Sequence, residues 1–181
     1  DYFQLTQYVE GLNCADLAWG TASAKTVTLS FWAYSSLTGT FGGAITNSAG
    51  NRSYPFTYTV TTANTWTQVS ILIPGDTAGT WLTNNSAGMW LYFSLGTGST
   101  YSGTANTWAA ANYVNATGSV NLVATNAATW YITGVQLEQG PVATSFDYRH
   151  YGQELALCQR YCPVISVSGI TGNMVVASGY V

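Results

Sequence analysis

"TVTLSFWAYS", residues 26–35, decides the fold. Val27, Leu29, Phe31 and Ala33 take every second position, and Thr26, Thr28, Ser30 and Trp32 take the others. A period of two places the two sets on opposite faces of a β-strand, one for a core and one for the outside. "RSYPFTYTVT" (52–61) alternates likewise through Tyr54, Phe56, Tyr58 and Val60. "WTQVSILI" (66–73), "MWLYFSLG" (89–96), "VNLVAT" (120–125) and "WYITGVQLE" (130–138) complete the series. All are rich in β-branched and aromatic residues. Between them lie "SAGN", "PGDTAGT", "NNSAG", "GTGSTYSG" and "NATG", whose residues suit turns. "GTGSTYSGTANTW" (96–108) is low in complexity and reads as a long surface loop. Strands at this spacing without intervening helices predict an all-β fold, an antiparallel sandwich.

One stretch reads differently. In "GQELALCQRYC" (152–162), Leu155, Cys158 and Cys162 recur at helical spacing, with Glu154 early, Arg160 late and Pro163 as a stop. The segment beyond it returns to strand-like alternation. The expected organisation is a sandwich over 1–147, a helical connector over 148–162, and the start of a further β segment over 163–181. The opening at Asp1, inside a strand-like run, suggests a piece of a longer protein.

Composition narrows the function. The chain has 181 residues, 47% of them hydrophobic, enough for a real core. Charged residues make up only 6%, so Thr, Ser, Asn and Gly must cover much of the surface. With four Lys and Arg and a net charge of −3, a basic groove that replaces phosphate counterions is excluded as a nucleic-acid site. No run of ~18 apolar residues marks a transmembrane span. Three cysteines, Cys14, Cys158 and Cys162, read as free thiols, and the chain is too poor in Cys and His for zinc.

No catalytic constellation emerges. Asp16, Asp76, Glu138, Asp147 and Glu154 lie in five separate segments, so no local pattern pairs two carboxylates for glycoside hydrolysis. Cys158 and the lone His150 lack a visible orienting group. The expectation is a protein that is not an enzyme.

Three segments carry a resemblance. They are "EGLNCADLAWGTASAKTVTLSFWAYSSLTGTFGGAITNSAGNRSYPFTYTV" (10–60), "NTWTQVSILIPGDTAGTW" (64–81) and "WYITGVQLEQGPVATSFDYRHYGQELALCQRYC" (130–162). Together they resemble a module of tailed-phage and prophage virion proteins, notably tail fibres and related appendages. "VQLEQG" followed by "ELALCQRY" is the most specific pairing. Cys162 stands where that family usually has Tyr, and His150 where it has Pro, so neither carries an inferred role. The resemblance implies a jelly-roll sandwich like those of carbohydrate-binding modules, often followed by a short C-terminal β domain. It implies a virion protein exposed on the particle exterior, in a tail fibre, a head fibre or a capsid decoration. Its partners would be other virion proteins and host surface glycans.

Candidate sites follow from this. Sugars stack on Trp and Tyr rings and bond to Asn and Asp. Trp19, Trp81, Tyr101, Trp108 and Tyr113 lie in or beside loops, with Asp76, Asn84, Asn85, Asn106 and Asn112 as hydrogen-bonding neighbours. Trp32, Trp66, Trp90 and Trp130 fall within strand patterns and read partly as core. The plainer alternative makes all seven Trp core or subunit contacts. Jelly-roll modules often hold a calcium ion, for which Asn13, Asp16 and Glu138 are the candidate ligands. The charge-poor, aromatic surface suits a symmetric homotrimer. Asp147, Arg149, Glu154 and Arg160, with Tyr151, Leu155, Leu157 and Tyr161, form the expected connector and assembly set.

Overall fold

The structure, a computed structural model, describes residues 1–161, so Cys162 and the expected β segment at 163–181 lie outside the described residues. The chain divides at Ser145, two residues before the expected boundary, with a second unit starting at Phe146. The first unit is an antiparallel sandwich. One sheet has the order β1-β6-β3-β4: β1 (Tyr2–Glu10), β6 (Ala87–Thr97), β3 (Gly39–Asn47) and β4 (Ser53–Val60). The other has the order β5-β2-β9: β5 (Thr67–Ile73), β2 (Val27–Ser35) and β9 (Trp130–Gln139). The predicted strands at 26–35, 52–61, 66–73, 89–96 and 130–138 form with shifted ends.

The pairing is nested. β3 pairs with β4, β2 with β5, and β1 with β6, each pair outside the last in sequence and each in the alternate sheet. That rolled-up hairpin is a jelly roll. The chain runs between an upper end, near Glu10, Val27, Asn47 and Ile73, and a lower end, near Tyr2, Ser35, Gly39 and Trp130.

The inner faces bury the expected set. Val27, Leu29, Phe31 and Ala33 are almost wholly buried, as are Phe41, Phe56, Val60 and Ile73. Phe31 meets Tyr58 and Phe93 edge-on at 5.1 Å, a geometry that matches positive ring edges to negative faces. The Trp130 indole donates across the sandwich to the Tyr58 hydroxyl at 3.0 Å.

Three sequence expectations change. "GTFGGAITN" (39–47), unread as a strand because its glycines dilute the pattern, is central strand β3. Its Gly43 is demanded by packing, because a Cβ there would collide with the Tyr92 carbonyl and the Phe56 ring. "VNLVAT" forms only a 3₁₀ turn, Leu122–Ala124, with Leu122 buried and Val123 exposed. The low-complexity stretch, expected as a long surface loop, contains a short strand and belongs to a layer packed on the sheet. Short strands β7 (Ser102–Gly103) and β8 (Asn115–Ala116) pair in parallel, and Val114 packs on Ala44 and Tyr92. Ser53 and Ala109 exchange backbone bonds of 3.0 and 2.9 Å. This layer covers the β4–β3–β6 part of the outer face of the four-stranded sheet, while Tyr8 on β1 stays 60% exposed.

β9 contains a phase slip. Ser30 pairs with Gln136 but Trp32 with Thr133, so Phe31 alone faces both Gly134 and Val135. Gly134 has φ 60°, the left-handed geometry of a glycine bulge. Trp130 and Ile132 precede the bulge, Leu137 follows it, and all three pack on the core. Strict alternation would turn Leu137 outward and Gln136 inward. Gly134→Ala should therefore destabilise the sandwich by about 1–3 kcal/mol, from left-handed strain, in urea unfolding.

The second unit's described part centres on α1 (Tyr151–Tyr161), one residue off the expected helix start. The His150 carbonyl accepts from the Gln153 and Glu154 amides at 3.0 and 3.1 Å.

Candidate functional site

The loop tryptophans expected to stack on sugars lie in the upper end of the core. Trp19 and Trp81 are 6% and 8% exposed, and their rings meet edge-on at 4.7 Å. Half-buried Trp108 closes the group, 5.4 Å from Trp19 and 5.7 Å from Trp81. Each indole N–H is spent: Trp19 on the Lys25 carbonyl at 2.7 Å, Trp108 on the Pro74 carbonyl at 2.9 Å, and Trp81 on Asp76 and the Ala78 carbonyl at 3.3 Å each. Asp76, expected to bond sugar hydroxyls, is 1% exposed and accepts a fork from Arg52, 2.7 Å from Nε and 2.5 Å from Nη2. Arg52 also lies over the Trp108 ring at 5.8 Å. Behind it, fully buried Asn47 accepts from the Asn51 and Arg52 amides and donates to Asn51 and the Thr80 carbonyl. These contacts take Trp19, Trp81 and Asp76 out of a surface platform and make them the clasp of the upper end. Nothing in the sequence paired Arg52 with Asp76, because they stand 24 residues apart on different elements.

The open aromatic surface is elsewhere, on the outer face of the three-stranded sheet. Tyr34 on β2 lies directly opposite Tyr131 on β9, with ring centroids 5.4 Å apart, and Trp66 flanks Tyr34 at 5.6 Å. One rung higher, Trp32 stands between Gln68 on β5 and Thr133 on β9. Trp32, Trp66 and Tyr131 are 41%, 44% and 54% exposed. The Tyr34 hydroxyl donates to Asn64 Oδ1 at 3.3 Å. Toward the upper end the β2–β9 part of the same face is covered, while Leu72 on β5, opposite Thr28, stays 52% exposed. Thr28 donates to the Gly140 carbonyl, and Thr144 bonds Glu138, leaving Thr28 and Ser30 buried. Trp32 and Trp66 fall within strand patterns, and neither is among the expected sugar-binding residues. The signal that identifies them is parity: Trp32 shares its face with Thr28 and Ser30, the polar side of its own strand.

The remaining candidates disperse. Tyr101 is half-buried beside Tyr2 at 5.0 Å. The Tyr113 ring backs Gly103, where a Cβ would collide with it. Asn84 and Asn106 are exposed turn residues; Asn84 caps the Ser86 amide, and Asn106 has φ 58°. Asn85 and Asn112 are exposed as well. Of the candidate calcium ligands, Asn13 and Asp16 are exposed in or beside 3₁₀ turns. The Glu138 carboxylate is held below its usual range by hydrogen bonds from Gln136 and Thr144. Among the described residues no three of His, Cys, Asp and Glu gather at one point. In the second unit Arg149 pairs with Asp147 at 3.1 Å and Glu154 at 3.7 Å, while Tyr151, Leu155, Leu157 and Tyr161 are exposed. Arg160 lies over the Tyr161 ring at 5.6 Å. Such exposed pairs contribute about 0–1 kcal/mol.

No protein family, curated protein or solved structure matches the chain.

Asp76→Ala would strand the Arg52 guanidinium among aromatic rings. It should cost about 3 kcal/mol in urea unfolding, the lower part of the range for buried pairs because Arg52 keeps some contact with water. Burial, with a smaller push from Asp16, raises the Cys14 thiol above its ordinary range. A raised thiol stabilises the fold below the ordinary thiol pKa, and that contribution is lost as pH climbs toward the folded value. Unfolding midpoints should therefore fall between about pH 8 and 10, and Cys14→Ala should flatten part of that slope.

Proposed function

We propose that this chain is an attachment module of a tailed-phage virion appendage, a tail fibre or a head fibre or decoration. In this reading it docks host surface sugars on the Trp32–Tyr34–Trp66–Tyr131 face. The observation that carries it is this row of open rings bordered by Gln68, Asn64 and Thr133, without a charged residue among them. Sugar C–H faces stack on such rings, and uncharged amides and hydroxyls match sugar hydroxyls as both donors and acceptors. The resemblance of residues 10–60, 64–81 and 130–162 to virion modules supports the setting. The protein acts by binding, without catalysis, and assembles as a homotrimer.

A glycan array printed with host surface polysaccharides tests the site. Trp32→Ala and Tyr131→Ala should each weaken binding about tenfold while the fold persists. Trp81→Ala should instead destabilise by about 3–5 kcal/mol and leave binding by the folded fraction unchanged. Unchanged glycan binding in Trp32→Ala would remove the site. Mass photometry of the full-length protein at micromolar concentration should give a trimer, and a clean monomer would sink that part. If Trp32→Ala breaks the trimer and spares glycan binding, the face is a subunit contact.

A further inference from the structure

Among the described residues, the nesting of strand pairs leaves one place unfilled. β3 with β4, β2 with β5 and β1 with β6 alternate between the sheets. The next pair outward would lie in the three-stranded sheet and join β9 to a strand that comes before β1. Among the described residues β9 instead pairs only with β2 and forms the edge of its sheet. The four-stranded sheet extends one strand further, so β1 overhangs the gap. Leu5, Gln7 and Val9 pair with the core residues Phe93, Leu91 and Met89, so their side chains point inward. Even so, Leu5 is 46% exposed. A groove of about 310 Å³ opens there, lined by Leu5, Thr6, Gln7, Phe93 and Val135.

We infer that this groove is a strand-acceptor site. Its occupant is a single extended strand of the same polypeptide, leading into β1 from its N-terminal side and antiparallel to β9. Three observations specify that occupant. A strand about 4.8 Å beyond β9 would sit beneath β1, because facing sheets pack about 10 Å apart. β9 runs from the lower to the upper end, so an antiparallel neighbour finishes at the lower end, where β1 starts. The link to Tyr2 is then a short crossover of the kind that joins Ser35 to Gly39. Leu5, Phe93 and Val135 make three of the five lining residues apolar, beside Thr6 and Gln7, so the strand turns alternate apolar side chains inward. A second folded sandwich does not fit, since edge-to-edge pairing through β9 would drive its four-stranded sheet into β1.

Amide hydrogen exchange resolved by residue tests this, comparing the 181-residue chain with the protein at its full native length. Every second residue of an edge strand turns its N–H outward. In the 181-residue chain the outward amides of β9 should exchange as open-edge amides do. In the full-length protein they should exchange roughly 100-fold more slowly, at every protein concentration. Leu5→Lys should remove that protection in the full-length protein while leaving the β2–β5 amides slow in both. Equal exchange in the two proteins overturns the inference, as does a native protein that starts at Asp1. Protection that fades on dilution overturns it in favour of a strand from a second copy. Protection that needs another added protein overturns it in favour of a separate donor.

Discussion

The ion pair between Arg52 and Asp76 holds the upper end of the sandwich closed. It joins the β3–β4 turn to the segment after β5, and it seats the three tryptophans that cap the core there. An isolated charge in that setting would be expensive. The planar guanidinium answers with two parallel bonds to one carboxylate and an aromatic ring beneath it. Asn47 adds a second, neutral layer by satisfying backbone amides of the same turn. Charged residues are only 6% of this chain, and Arg52 and Asp76 are used to fix the path of two loops.

That allocation explains the two outer faces. One carries an added layer, residues 99–120, built from small residues around Tyr92 and Val114. The other is open at its lower end and shows rings without charges. In the proposed function such a surface would bind through shape, stacking and shared hydroxyls, with little dependence on salt, because no ionic contact would be screened. Under the proposed function, recognition and folding use separate aromatic sets: Trp19, Trp81 and Trp108 above, Trp32, Tyr34, Trp66 and Tyr131 below.

Alternation made the strands and their inner faces readable, since a pleated backbone turns sequence parity directly into sides. Val27, Leu29, Phe31 and Ala33 lie where "TVTLSFWAYS" places them. β3 was hidden because Gly42 and Gly43 show nothing to a hydrophobic pattern, though close packing is what demands them. Loop position does not mean exposure for Trp19 and Trp81. A loop that folds back over the end of a sandwich buries its rings, and a strand always sends half of its side chains outward. The Arg52–Asp76 pair was illegible for another reason: only the folded path brings those residues together.

The bulge at Gly134 has an effect on how β9 can change over time. Beyond it, one residue gained or lost exchanges the destinations of Val135, Gln136, Leu137 and Glu138 all at once. Two residues gained restore them. The strand therefore admits variation in length by parity, and the single odd residue it carries is already committed at Gly134. Lineages that shorten or lengthen this segment should do so in even steps, or move the glycine with the change.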